Sequence, residues 1–340
     1  MNLRLGRGEQ WAIVAAISYT VVNITLRAAA VHIDPYIGSA LRQIPVALLA
    51  FGAILVTRRW EFLPSHARFI GWRFVLALLA GGFLSFFVGN VLYFLGLAEG
   101  GLGITVSASQ AGVVFAGLGL GLLFLREQPR REQWIGSAII AGGLVLVGYA
   151  QLGAPRELWW LGLLFAFLAG SCYASTNVLT RLVQRERPVL FITLAGTSIG
   201  GMVPLLVVIA FQAATSGGAA FRTLDWWTVG VVILAGVANA VALVGLTQAM
   251  RDATVATTNT ISSAQLVFSF IGAVLLFNET GSPPMILGVV LVTAGIVFAQ
   301  LDRAARNGRR APSPPAGPVE AEPALVLPPE RERPDGWPRR

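Results

Sequence analysis

The feature that most constrains this chain is a series of apolar runs about 20 residues long, the length a helix needs to cross ~30 Å of hydrocarbon. Ten runs stand at 10–30, 36–57, 72–96, 103–125, 132–150, 158–180, 189–212, 227–249, 254–277 and 283–301, with short connections. In lipid, backbone N–H and C=O groups must pair inside the spanning structure, which leaves helix bundles and closed barrels. The runs are continuously apolar and do not alternate over ~10 residues, so helices are expected. The sequence therefore predicts an all-α polytopic membrane protein with ten transmembrane helices. Only 12% of residues are charged, too few to cover the surface of a soluble domain of this size.

Both ends need a separate reading. Arg4 and Arg7 precede an apolar stretch ending in Ala28–Ala30, a pattern shared with signal peptides. The stretch is long and carries Asn23 and Arg27, so it reads as the first span. After Asp302 the composition shifts, and residues 311–340 hold nine of the 18 prolines. Residues 302–340 are expected to form a disordered Pro/Arg-rich tail, because such a segment cannot bury a core.

Arginine distribution sets the orientation, since positively charged loops stay cytoplasmic. With the N-terminus inside, the inner side collects Arg4, Arg7, Arg58, Arg59, Arg68, Arg73, Arg126, Arg130, Arg131, Arg181, Arg185, Arg187 and Arg251, then the start of the tail. The outer side and its helix ends hold Arg27, Arg42, Arg156 and Arg222. Both termini are thus expected in the cytoplasm, at the cell (inner) membrane of the source.

Two stretches echo each other. "LLFLREQPRREQWIG" (122–136) returns as "LLFNETGSPPMILG" (275–288), and a shift of 152 residues pairs Leu123 with Leu275, Glu127 with Glu279, Gly136 with Gly288, Gly143 with Gly295 and Val145 with Val297. A second echo is Y-x3-N-x3-R, present as Tyr19, Asn23, Arg27 and again as Tyr173, Asn177, Arg181. Spacings of four place each triplet near one helix face. The chain thus reads as two copies of five spans, 10–150 and 158–301. Five is odd, so the second copy is inverted, an architecture of alternating-access transporters with solute held near the midplane.

"LFLREQPRREQWIGSAIIAGGLVLVG", its partner "LLFNETGSPPMILGVVLVTAGIVFA", and "ISYTVVNITLR" followed by "YIGSALRQIPVALL" resemble the EamA-type domain of the drug/metabolite transporter superfamily. The resemblance covers residues from about 10 to 301 as two domains. It implies ten helices, both termini inside, and transport of small organic metabolites, often by export. It also implies that spans three, four, eight and nine border the pathway. Arg42 has no counterpart near Gly196 in the matching span, so the expected site is asymmetric.

Polar residues at span depth are costly and are the candidates for solute contact. Arg42, two turns into the second span, could draw an anionic group, snorkel to headgroups, or pair with Asp34. Tyr19 and Asn23, with Tyr173 and Asn177, could line a cavity or bond between helices. Asn90 and Tyr93 share a face of the third span. Ser107, Gln110, Thr258, Asn259 and Gln265 give the fourth and ninth spans a polar side, and Asn239 lies in the eighth. The substrate-contact set is Tyr19, Asn23, Arg42, Asn90, Tyr93, Gln110, Tyr173, Asn177, Asn239 and Gln265.

Other chemistries lack their parts. "GLGLG" (117–121) follows no strand, so it is not a nucleotide loop. Its G-x-x-x-G spacing, like Gly196 and Gly200, suits close helix packing. His32 and His66 fall on opposite sides of the membrane, and the lone Cys172 has no ligand partners, so no metal and no cofactor are expected. No span holds a carboxylate pair, which argues against an enzyme. All 25 basic residues are Arg, without clustering on a folded face, so no nucleic-acid partner is expected. The carboxylate nearest a span is Glu99, expected at the outer surface, which favours a uniporter or facilitator over a proton antiporter. The expected function is a carrier of an amino acid-like or drug-like solute in the lipid bilayer, working as monomer or homodimer, with export as the expected direction. A passive channel-like facilitator and, further off, an intramembrane enzyme are the alternatives.

Overall fold

A computed structural model gives the fold and describes residues 6–58, 64–66, 69–125, 131–151, 158–186, 190–216, 224–252, 261–279 and 281–309. The described residues form ten helices: α1 (Arg7–Ala30), α2 (Pro35–Thr57), α3 (Trp72–Gly100), α4 (Leu102–Leu125), α5 (Arg131–Tyr149), α6 (Trp159–Glu186), α7 (Leu190–Ser216), α8 (Trp226–Asp252), α9 (Ala264–Phe277) and α10 (Pro283–Arg309). Seven of them are long and apolar enough to cross a membrane: α1, α2, α3, α4, α6, α7 and α8. α9 and the apolar part of α10 are shorter apolar helices.

The helix ends follow local chemistry. Asp34 caps α2, its carboxylate accepting from Tyr36 N at 2.9 Å and Ile37 N at 3.2 Å, with Pro35 at the first helical position. Asp225 caps α8 by accepting from Thr228 N at 2.8 Å. The hydroxyl and N–H of Thr228 hold the Asp225 carboxyl below its ordinary range. Trp226 and Trp227 stand exposed beside it, as amphipathic rings do at a membrane–water boundary. α9 stops at Asn278, which takes a left-handed backbone. Within α3, residues Phe83–Gly89 form a π-helical stretch, a feature often found at functional sites.

Large apolar side chains cover the outside of the bundle. Leu123 and Leu275, partners in the 152-residue shift, are both 73% exposed. Such a surface suits lipid. Inside, Val22, Leu26, Tyr93, Phe94, Leu97, Leu102, Leu266 and Val292 belong to one apolar cluster spanning helices from both halves of the chain.

Glycines let the helices touch backbone to backbone. α3 runs antiparallel to α6, with Gly81 against Thr176, Gly89 against Tyr173, and Gly96 and Gly100 against Gly162. α4 crosses α6 where Gly112 meets Phe167 and Gly170 meets Ser109. α1 packs along α8, α2 against α7 and α8, and α9 against α1. α5 and α10 pack antiparallel, Gly136 on Gly295 and Gly143 on Gly288. Each glycine in this last pair of contacts faces the repeat partner of the glycine that the other contact uses.

Gly142 and Gly143 separate packing from propensity, because a Cβ on Gly142 would meet nothing within 4 Å. On Gly143 it would stand 2.8 Å from Gly288 O and Val292 N, backbone atoms that cannot swing aside. Gly143→Ala is expected to lower stability by about 1–3 kcal/mol, and Gly142→Ala to leave it unchanged or slightly raised. Thermal unfolding of the two purified variants in detergent checks this, and equal behaviour would mean that α5 and α10 do not touch as described.

Candidate functional site

Asn90 and Tyr93 project from one face of α3, just after its π-helical stretch, and gather polar groups from four other helices. Arg42 Nη1, from α2, donates to Asn90 Oδ1 at 3.1 Å. Tyr173 OH, from α6, donates to the same oxygen at 3.0 Å. Tyr93 OH donates to Asn23 Oδ1 on α1 at 2.9 Å, and Asn23 Nδ2 donates to Ser269 Oγ on α9 at 3.0 Å. The Tyr93 and Tyr173 rings lie with centroids 6.3 Å apart. Asn90, Asn23, Arg42 and Tyr93 are all buried. Two hydrogen-bonded chains thus meet on α3, joining α1, α2 and α3 to α6 and α9.

Arg42 neither snorkels nor pairs with Asp34. Its guanidinium turns inward to Asn90, while Asp34 caps α2 and takes a long contact from Gln212 Nε2 at 3.5 Å. Two donors in this site are buried and meet no protein acceptor: Arg42 Nε and Asn90 Nδ2. At the position of α7 that a shift of 154 residues pairs with Arg42, Gly196 packs on Leu78.

One turn along α1 from Asn23, Arg27 closes an end of the bundle. Its Nε stands 3.1 Å from Glu279 Oε1 in a partly buried ion pair, and its Nη1 donates to Leu97 O at 2.7 Å. Glu279 also accepts from Leu102 N at 2.8 Å and Gly103 N at 3.0 Å. Those are the first N–H groups of α4, which a carboxylate satisfies and whose helix dipole it complements. The Arg27 guanidinium lies over the Phe277 ring, 5.7 Å from its centroid. The C-terminal ends of α1, α3 and α9 and the start of α4 are therefore tied together through one carboxylate.

The structure brings together Asn23, Arg42, Asn90, Tyr93 and Tyr173 of the sequence-predicted set. Tyr19 is half-buried one turn from Asn23, toward the start of α1. Asn239 is buried on α8, Gln110 and Gln265 are half-buried on α4 and α9, and Asn177 is exposed on α6. None of these five joins the hydrogen-bonded chains. Glu127, Thr258 and Asn259, and the side chain of Arg181, lie outside the described residues. Sequence reasoning misses three elements. Ser269 is one serine in an apolar helix and carries no signal. The bond from Gln43 Nε2 to Ser198 Oγ at 2.9 Å, between α2 and α7, is equally unmarked. The partnership of Arg27 with Glu279 has a signal, since each belongs to one of the two echoes, but nothing in a linear pattern joins one echo to the other.

Among the described residues the chain is an all-helical bundle with an apolar skin, the mark of a multi-pass membrane protein. The signature of the EamA-like transporter family matches residues 6–149 and again 160–300. The chain belongs to that family, and so to the drug/metabolite transporter superfamily, and membership indicates a membrane transporter of small solutes. A solved structure described only as "Crystal structure of protein" shares the fold, with a TM-score of 0.58 and 16% identity over 88% of this chain and 98% of that one. No curated protein matches the chain in sequence.

The ion pair makes a quantitative prediction. Removing one partner deprives the other of its counter-charge in a largely buried place, which costs at most about 3–5 kcal/mol. Arg27→Gln and Glu279→Gln are each expected to destabilise the protein, and the double variant to cost clearly less than the two singles together. A double-mutant cycle by thermal unfolding in detergent measures this, and additive costs would show that the two groups do not interact.

Proposed function

We propose that this EamA-family chain is a carrier that moves a small organic solute out of the cell by alternating access. The observation that carries the reading is the polar chain on α3, which draws side chains from both halves of the protein and lies just below an ion-paired closure. Ten spans in two inverted repeats, 10–150 and 158–301, give such a site its two mirrored approaches. The reciprocal glycine contacts of α5 with α10 support that symmetry, as does the packing of α1 on α8 beside that of α6 on α3.

Arginine bias favours both termini, with the residues after α10, in the cytoplasm and the Arg27–Glu279 tie at the outer face of the cell membrane. The described conformation is then closed to the outside. Solute binds to the polar residues of α1, α2, α3 and α6, with Gln110, Asn239 and Gln265 bordering its path. For solute to leave, the tie must open and Glu279 must release the start of α4. No covalent step is needed, so the protein is not an enzyme. Ten helices enclose a path in one chain, so a monomer suffices.

Comparing spent medium from cells expressing the protein with that of empty-vector cells is expected to reveal a solute that accumulates outside. In proteoliposomes its flux is expected to saturate, and to accelerate when unlabelled solute is present on the far side. Flux without saturation or counterflow would make the protein a passive pore. The absence of any flux would remove transport altogether.

A further inference from the structure

The carrier reading leaves the chemistry of the solute open, and the surroundings of Arg42 narrow it. Its guanidinium is buried ten helical residues from the Gly100 end of α3, judged by its partner Asn90, or about 15 Å at 1.5 Å per residue. Arg27, the other buried arginine among the described residues, has its carboxylate in Glu279. Among the described residues no carboxylate lies within ion-pair distance of Arg42.

What surrounds Arg42 is neutral. Asn90 supplies an amide oxygen, which Tyr173 OH also uses. A buried cation matched only by neutral dipoles is undercompensated. The unsatisfied atoms point the same way: Arg42 Nε and Asn90 Nδ2 are both donors and both lack a protein acceptor. Among the described residues the site therefore lacks an acceptor with negative charge.

On the carrier reading, we infer that the transported solute is an organic monoanion bearing a carboxylate, and that Arg42 and Asn90 bind that carboxylate. A carboxylate offers two coplanar oxygens, the geometry that a guanidinium edge recognises. The single uncompensated positive charge balances one negative charge. A phosphate ester dianion would leave a second charge buried without a partner. Tyr93 and Tyr173, whose rings meet at 53° with centroids 6.3 Å apart, would give the organic body of the solute an aromatic contact.

The test is the chemical identity of the solute that the protein moves, together with its dependence on Arg42. Spent medium is compared for cells expressing wild type, Arg42→Gln, Arg42→Lys and empty vector, with membrane abundance measured for each. The wild-type-dependent solute is expected to be a carboxylic acid with one net negative charge. Arg42→Gln is expected to reduce its accumulation at least tenfold at equal abundance, and Arg42→Lys to retain part of it. The melting temperature of purified Arg42→Gln is expected to match or exceed that of wild type, because the substitution removes a charge without a counter-ion. A neutral, cationic or phosphorylated solute would overturn the inference and leave the carrier standing. So would Arg42→Gln retaining wild-type accumulation, or a loss of accumulation that only follows a fall in melting temperature and abundance. No wild-type-dependent solute at all would sink the carrier reading, and this inference with it.

Discussion

A carboxylate removed from water must find its hydrogen bonds in the protein or lose its charge, and Glu279 finds three groups at one end of the bundle. Arg27 gives it a charge, and Leu102 and Gly103 give it the open N–H groups of a helix start. Each donor is also improved by the arrangement. The first N–H groups of α4 would otherwise be unpaired, and Arg27 completes its coordination on the Leu97 carbonyl at the end of α3. Four helix ends are thus fixed relative to one another. Asn23 and Tyr93, which stand one turn below Arg27 and Leu97 on the same helices, inherit their positions from it.

The same requirement governs the middle of the bundle, with a different outcome. There Asn90 Oδ1 serves two donors while Arg42 Nε and Asn90 Nδ2 serve none. One polar cluster is saturated and the other has spare donors. A saturated cluster holds a conformation, and one with spare donors has binding capacity left. Glycine contacts complete the mechanical side. Where Gly170 meets Ser109 and Gly82 meets Thr197, main chains touch directly, which packs these helix pairs closely. Motion between such pairs, with Glu279 as the joint that opens, is the simplest way for this packing to expose the Arg42 site.

Much of the architecture is legible in the sequence because lipid makes the constraint severe. Continuous apolar runs identify the helices, and the structure extends several of them by a few residues, α6 as far as Glu186 and α8 as far as Asp252. The echo of Gly136 and Gly143 in Gly288 and Gly295 marks four glycines that prove to be contacts, because a spacing of seven keeps two small residues on one helix face. Asn90 and Tyr93 are legible as a pair for the same reason. What stays hidden is partnership between distant segments. Arg42 reads equally well as snorkelling, as paired with Asp34 or as turned inward, because its choice depends on where α3 stands. Glu279 reads as a loop residue, because its role depends on the start of α4, 176 residues away in sequence from Gly103.

The most direct test of this account is the distance across the tied end. Spin labels at Val31, beyond α1, and at Gly281, beyond α9, would be introduced in a Cys172→Ser background, both sites being exposed. Double electron–electron resonance in nanodiscs is predicted to give a narrow short distance for the resting protein, and a second, longer population once Glu279→Gln weakens the tie. A distribution that Glu279→Gln leaves unchanged would contradict the claim that this ion pair closes the outer end and must open for transport.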